Sequence, residues 1–212
     1  MISYRLKEIA SLVSTHSVYD VGCDHGLLSI YLSENHMCTA IDITDKCIEK
    51  TRQNCEKFKC NMEVIKNDGL KDIDIRKNST VLILGLGTRS ILDITNDYNK
   101  DIDSYIIQTN NDLYTLRKTL TKNYFIEEEK VIKDKNKIYV VIKFSKGFVK
   151  YKRKDYILGP LLKNNKESII YYDNYLKKLM RQYKNTKKLI VKIKLKYLIY
   201  IIKKQRKSLL SQ

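Results

Sequence analysis

Apolar runs of four to six residues alternate with longer amphipathic segments from the start of the chain to about residue 122. That alternation is the pattern of parallel strands covered by helices. It predicts helices over 3–14, 26–34, 45–58, 89–95 and 111–122, and strands over 18–21, 38–43, 62–65, 80–84 and 104–108. Two further apolar-rich runs, Tyr124 to Ile132 and Lys137 to Phe144, flank a polar turn at Asp134 to Asn136 and predict an antiparallel hairpin. The expected fold class is therefore α/β, with a five-stranded parallel sheet closed by a terminal antiparallel pair.

Beyond Gly147 the sheet pattern stops. A basic connector, Lys150 to Lys154, leads to Gly159-Pro160, where proline disfavours helix in the residue before it. Then Ile169, Tyr172, Leu176, Leu179 and Tyr183 repeat at steps of three and four, as do Val191, Leu195, Leu198, Ile202 and, past a polar Gln205, Leu209. These are heptad seams. The polar break Lys184 to Lys187 is short enough to fold two helices into an antiparallel coiled-coil hairpin. Val191 to Tyr197 also alternates apolar residue and lysine in the manner of a strand, but length and surroundings favour helix. Two domains are expected, a sheet domain over 1–149 and a helical extension over 150–212.

Charge separates the same two parts. Of the net +17, residues 1–149 hold 22 Lys plus Arg against 21 Asp plus Glu, whereas residues 150–212 hold 19 against 3. A genome-wide bias towards lysine would act on both parts alike, so the uncompensated C-terminal charge reads as a footprint for a polyanion. No stretch has the order of a signal peptide, and the longest apolar candidate, Leu189 to Ile202, carries Lys192, Lys194 and Lys196. A spanning helix would bring three ammonium groups into hydrocarbon, so no membrane is expected and the location is cytoplasmic. The five cysteines, Cys23, Cys38, Cys47, Cys55 and Cys60, contain no C-x-x-C pair and no histidine at ligand spacing. They are expected to be reduced thiols, with no metal site.

Chemistry concentrates at the strand ends. The first strand closes in Asp20-Val21-Gly22-Cys23-Asp24-His25-Gly26, immediately before a helix. Glycines at 22 and 26 allow a sharp turn and a close backbone approach to a ligand, and the helix start supplies free N–H groups. This spacing is not G-x-G-x-x-G, and Asp20 and Asp24 would repel a pyrophosphate. The amino group and sulfonium of S-adenosylmethionine are cationic and suit the acids. Asp42 follows about twenty residues on, where a carboxylate can accept ribose hydroxyls, with Ile43 beside it. Asp68, before Gly69, stands where it can accept from an adenine amino group. The fourth strand ends in Leu84-Gly85-Leu86-Gly87-Thr88; although Gly85, Gly87 and Ser90 have a G-x-G-x-x-S spacing, its place in strand order points to the acceptor side.

The segments Asp20-Val-Gly-Cys-Asp-His-Gly, Ala40-Ile-Asp, Asn67-Asp-Gly-Leu, Leu84-Gly-Leu-Gly, Gln108-Thr-Asn and Leu158-Gly-Pro-Leu, in this order and spacing, resemble the bacterial tRNA adenine-22 N1-methyltransferase family. The likeness runs from about Arg5 to Tyr183. It implies a Rossmann-like class I methyltransferase fold with a C-terminal helical hairpin that helps hold tRNA. It also implies S-adenosylmethionine binding at Gly22, Asp24, Gly26, Asp42, Asp68 and Gly85; Asp20, Cys23, Ile43, Gly69 and Leu86 adjoin these positions and complete the expected cofactor set. Two positions depart from the family pattern: Thr88 stands where it usually has glycine, and Thr109 where it usually has proline.

Adenine N1 keeps its lone pair at neutral pH, so alignment with the sulfonium methyl should matter more than deprotonation. Asp24 is the candidate to stabilise the positive charge that develops on the ring, with His25 orienting it or the substrate; a packing or capping histidine is the alternative. Tyr4, Leu86, Gly87 and Thr88 are expected walls for the target base. Asn110 either reads a base edge or caps the next helix, with the cap slightly favoured. Lys177, Lys178, Arg181, Lys184, Lys187 and Lys188 are expected to meet phosphates. A monomer is expected. The alternatives are a catalytically impaired tRNA-binding relative, a methyltransferase acting on another substrate and, least favoured, a dinucleotide oxidoreductase.

Overall fold

The computed structural model describes residues 2–96 and 102–211. Helix α1 (Tyr4–Ala10) starts at Ser3, whose hydroxyl accepts from the Leu6 N–H. It ends earlier than the pattern predicts, because Leu12 and Val13 N–H tighten onto Ile9 and Ala10 carbonyls and the Thr15 hydroxyl bonds Thr80 and the Ser17 carbonyl instead. Alternating units follow: β1 (Ser17–Val21), α2 (Leu27–Leu32), β2 (Met37–Asp42), α3 (Asp45–Phe58), β3 (Glu63–Lys66), β4 (Ser79–Leu86), α4 (Thr88–Asn96), β5 (Ser104–Thr109) and α5 (Leu113–Leu120). The hairpin is β6 (Tyr124–Asp134) with β7 (Lys137–Lys146).

These strands form one seven-stranded sheet in the order β3-β2-β1-β4-β5-β7-β6. Strands β1 to β5 pair in parallel and β7 runs antiparallel to β5, from Ser104 opposite Ser145 to Gln108 opposite Val141. Central strands are covered on both faces, which is why Val81, Leu82, Ile83, Ile106 and Ile107 read as continuous apolar runs and are fully buried. The strand order reverses between β1 and β4. In an open parallel sheet, the crevice beyond the carboxyl ends at such a reversal is where ligands bind.

The chain divides into two compact units, residues 1–128 with 141–149, and residues 129–140 with 150–212. In the second, a six-residue helix, α6 (Arg153–Leu158), begins within the basic connector and runs on to the Gly159-Pro160 break, its start held by the Lys152 N–H donating to Asp155. Two 3-10 turns lead into α7 (Ile169–Asn185), and α8 (Leu189–Leu210) returns antiparallel to it across Thr186 to Lys188. Tyr172, Leu176 and Leu179 of α7 are buried with Leu195, Ile202 and Leu209 of α8. The Tyr172 hydroxyl donates to the Leu158 carbonyl at 2.8 Å, and the polar break in the α8 seam, Gln205, donates to the Lys163 carbonyl at 2.6 Å. Val191 to Tyr197 is helical.

The reading of five reduced thiols is corrected at two positions. Cys55 and Cys60 form a disulfide with Cα atoms 5.1 Å apart. Lys59 ends α3 in a left-handed conformation that turns the chain back, so that the Cys60 N–H meets the Cys55 carbonyl. Cys23, Cys38 and Cys47 are free thiols. Among the described residues, no cluster of His, Cys, Asp or Glu could hold a metal ion, and no helix is long and apolar enough to cross a membrane.

Candidate active site

The turn after β1 is built from backbone that few residue types tolerate. Gly22 and Gly26 have φ of +77° and +67°, and Asp24 sits between them at +54°. Aspartate is among the few non-glycine residues that visit this region readily. The Gly22 and Cys23 N–H groups both point at the Ile41 carbonyl of β2, at 2.8 and 3.1 Å. From α3, the Thr51 hydroxyl donates to the Asp24 carbonyl at 3.3 Å and the Asn54 amide to the His25 carbonyl at 2.8 Å. The turn's backbone is therefore fixed while the side chains of Asp24 and His25 stay 73% and 50% exposed. His25 Nδ1 and Asp24 Oδ1 are 3.7 Å apart, beyond hydrogen-bond distance.

Two clefts adjoin this turn, and Gly22 borders both. The first, of about 500 Å³, is lined by Asp42, Ile43, Asp68, Gly69 and Leu86 from the strand ends, with Ser90, Asp93 and Ile94 of α4. Asp42 is held in place, its Oδ1 accepting the Thr44 N–H and hydroxyl at 2.9 Å each and its Oδ2 the Asp24 N–H at 3.4 Å. Asp68 accepts from Lys71 Nζ at 2.6 Å at the rim. The second, of about 260 Å³, is lined by Asp20, Cys23, Asp24, His25 and Gly85, together with Arg5, Leu6, Leu27, Leu28 and Leu84. A Cβ added at Gly85, φ +81°, would meet nothing within 4 Å. The backbone there faces open space.

Burial pushes the Asp20 carboxyl up to about 6; the Ser29 hydroxyl, donating at 2.6 Å, works against that rise and the neighbouring Asp42 charge adds to it. Burial, with Asp20 nearby, also pushes the Cys23 thiol up to about 12. Cys23 is accordingly an apolar wall and not a nucleophile at neutral pH.

The ends of β4 and β5 are joined by side-chain hydrogen bonds. Asn110 is not the cap of α5: Asp112 is, accepting from the Thr115 N–H at 3.0 Å. The Asn110 amide instead donates to the Gly85 carbonyl at 2.6 Å and its oxygen accepts from Gln108, whose own oxygen accepts from Arg5 at 3.4 Å. Thr88 is 4% exposed, with its hydroxyl bonded among Thr109, Asn111 and the Asp112 carbonyl. Tyr4 is exposed on α1 and, like Gly87, lines neither cleft. Gly26 lies behind the turn, where a Cβ would fall 2.5 Å from Thr51 Cγ2. Lys177, Lys178, Arg181, Lys184, Lys187 and Lys188 belong to the second unit and are all exposed. Sequence reasoning missed Asp93 and Arg5, and it gave the segment holding Ser90 to the acceptor side, whereas Ser90 lines the first cleft. Helical periodicity links Ser90 to Asp93, which share a face of α4 at a spacing of three.

A parallel sheet with acids at three successive strand ends and a glycine turn free of phosphate-loop spacing defines a Rossmann-like protein built for a cationic nucleoside ligand. Residues 2–142 match the family described as Methyltransferase domain, and the chain belongs to that family. It is 32% identical over 174 residues to MG248 of Mycoplasma genitalium, provisionally named a tRNA methyltransferase, covering 77% of this chain and 79% of that protein. Among solved structures, TrmK of M. capricolum in complex with S-adenosyl-homocysteine is 27% identical, with a TM-score of 0.86 and 98% of each chain covered. Streptococcus pneumoniae Sp1610, provisionally a tRNA (m1A22) methyltransferase, in complex with S-adenosyl-L-methionine, is 26% identical, with a TM-score of 0.86 over 97% of this chain and 100% of that one.

Proposed function

We propose that this chain is an S-adenosylmethionine-dependent tRNA methyltransferase that methylates N1 of adenine 22. The observation that carries the reading is the acid-lined strand-end cleft in a chain that aligns over nearly its whole length with relatives solved with this cofactor or its product. S-adenosylmethionine is the cofactor. The residues present fit it: Asp20, Asp42 and Asp68 line the two clefts, the glycine turn itself carries no lysine or arginine to hold a phosphate, and Gly85 leaves room for close approach.

In this reading Asp20 faces the ammonium group, Asp42 accepts the ribose hydroxyls and Asp68 accepts the adenine amino group. Gly22, Cys23, Gly26, Ile43, Gly69, Gly85 and Leu86 form or support the walls. When bound, the cofactor supplies a sulfonium methyl to an incoming lone pair. Because adenine N1 is already unprotonated, the protein's work is alignment. Asp24, exposed beside the second cleft, supplies negative charge where the ring becomes cationic, and His25 lies close enough to swing onto Asp24 or the base. Asn110, steadied by Gln108 and Arg5, faces the acceptor side with Gly87 and Tyr4, while Thr88 stiffens that side from beneath.

Residues 1–149 act as the methyltransferase domain and 150–212 as the tRNA-holding extension, with Lys177, Lys178, Arg181, Lys184, Lys187 and Lys188 meeting phosphates. The enzyme works as a cytoplasmic monomer. A binding-only relative is the second reading, favoured by the departures at Thr88 and Thr109. Labelled methyl transfer from S-adenosylmethionine to unmodified tRNA, measured beside tRNA affinity, separates the two: incorporation supports the enzyme, and tight binding without incorporation supports the binding protein.

A further inference from the structure

Helix α8 carries two apolar seams. The first, through Leu195, Ile202 and Leu209, is buried in the packing with α7. The second runs through Ile190, Ile193, Tyr197 and Tyr200, at steps of three, four and three. At 100° per residue these four side chains fall within roughly 80° of each other and about 160° from the buried seam. They are 70%, 61%, 43% and 63% exposed. A helix that exposes four large apolar or aromatic side chains on its outward face presents a surface that solvent alone does not explain.

The charge around this stripe selects its occupant. Lys194, Lys196 and Lys204 flank it, and α8 contains no acidic residue from Leu189 to Leu210. A second copy docking through this face would set lysine against lysine with no compensating carboxylate on the helix. A nucleic acid strand reverses that sign and adds flat apolar groups. The Tyr197 ring already takes a cation at its face, with the Arg153 guanidinium 5.8 Å from its centroid. Aromatic side chains interleaved with lysines are the composition that binds unpaired nucleotides, with bases stacking on rings and phosphates meeting ammonium groups.

We infer that the outward face of α8 is a stacking surface for unpaired bases of RNA, centred on Tyr197 and Tyr200. The inference rests on the tRNA-methyltransferase reading and deepens it. The phosphate contacts expected of the lysines around the helical bend position the substrate; this face adds contacts to bases that have left their pairing.

The test uses the full chain and two probes of equal charge, a single-stranded oligoribonucleotide and an abasic oligomer of the same length. Tyr197→Ala/Tyr200→Ala should weaken oligoribonucleotide binding by about tenfold or more, while the abasic oligomer binds variant and wild type alike. The salt slope should be unchanged, because no phosphate partner is removed. Tyr197→Phe/Tyr200→Phe should bind as wild type, since the rings remain. With tRNA, the Ala variant should show a raised KM and an unaltered kcat. Equal oligoribonucleotide binding by the Ala variant and wild type would overturn the proposal. So would a wild-type dimer in light scattering that the Ala variant dissolves, or an acidic peptide competing for this face more strongly than the oligoribonucleotide. Wild-type protein that binds the oligoribonucleotide through these rings yet never methylates tRNA would instead overturn the function proposed above.

Discussion

The hydroxyls of Thr88 and Thr109 lie 3.0 Å apart, and both also bond the Asn111 side-chain oxygen, at 2.8 and 3.1 Å. These are the two positions that depart from the resembled family's pattern, and they touch. The Thr109 hydroxyl also lies 3.1 Å from the Leu86 carbonyl, a second acceptor for its one proton, so the knot ties the end of β4 to the end of β5 next to Asn110. Where proline would restrict the backbone and glycine would leave it free, this chain ties it with buried hydroxyls.

Thr88→Val and Thr109→Val should each lower stability by about 1–2 kcal/mol, since each leaves buried polar partners unmet. The double variant should cost less than the two singles together by at least about 0.5 kcal/mol, the mark of a shared network. Urea unfolding of the four proteins measures this. Cofactor affinity should hold, because Asp42 and Asp68 keep their partners.

Two glycine substitutions should separate folding from ligand binding. Gly26→Ala places its Cβ 2.5 Å from Thr51 Cγ2 at a φ of +67° and should destabilise the fold by about 2 kcal/mol or more. Thr51→Ser removes the clashing methyl and should recover part of the loss. Gly85→Ala meets no neighbour, so it should cost only the roughly 1–2 kcal/mol of a left-handed residue while crowding the cleft and weakening cofactor binding. Thermal melts beside calorimetric titration distinguish the two outcomes.

Most of the sheet was legible because parallel strands buried on both faces leave uninterrupted apolar runs, and the amphipathic helices between them keep a regular period. The seam of α7 and α8 was legible for the same reason from Leu195 onward, but Val191 is exposed and Ile201, off the predicted seam, is buried. Helix α1 was overrun because the bond that holds the following segment out of helix, Thr15 to Thr80, spans 65 positions of sequence. Helix α6 was missed because six residues show no period, and Asp155, which holds its start, also pairs with Lys163 through the fold. The acids of the candidate site stood out as strand-end residues. Arg5 did not, since its partner Gln108 is 103 residues away. Cys55 and Cys60 were read as thiols because their pairing depends on the left-handed turn at Lys59, which lysine does not advertise.

Asp20 should make the enzyme sensitive to pH near 6. Its folded pKa is raised from 3.8 to about 6, so its contribution to stability is full below about pH 4 and is lost as pH rises through about 6. Asp20→Asn should therefore stabilise the ligand-free protein at pH 7, by up to about 3 kcal/mol, and flatten the pH dependence between 4 and 6. A cationic ligand favours the carboxylate, so wild-type affinity for S-adenosylmethionine should fall as pH drops below about 6, and Asp20→Asn should bind weakly at every pH. Chemical denaturation and titration across pH 4.5–8 check both halves.

The basic extension should hold tRNA through released counterions. Neutralising one of Lys177, Lys184 or Lys188 to Gln should reduce the slope of log affinity against log salt by about one and weaken binding without regard to sequence. Filter binding over a salt series measures it, and an unaltered slope would remove that lysine from the interface.

The most direct measurement is a reverse-transcription stop on unmodified tRNA incubated with the protein and S-adenosylmethionine, since a methyl on N1 blocks base pairing. A single strong stop at adenine 22, dependent on the cofactor and slowed on the order of a hundredfold by Asp24→Asn, is the predicted result. Full-length cDNA from tRNA that the protein demonstrably binds, under conditions where the cofactor also binds, would contradict it.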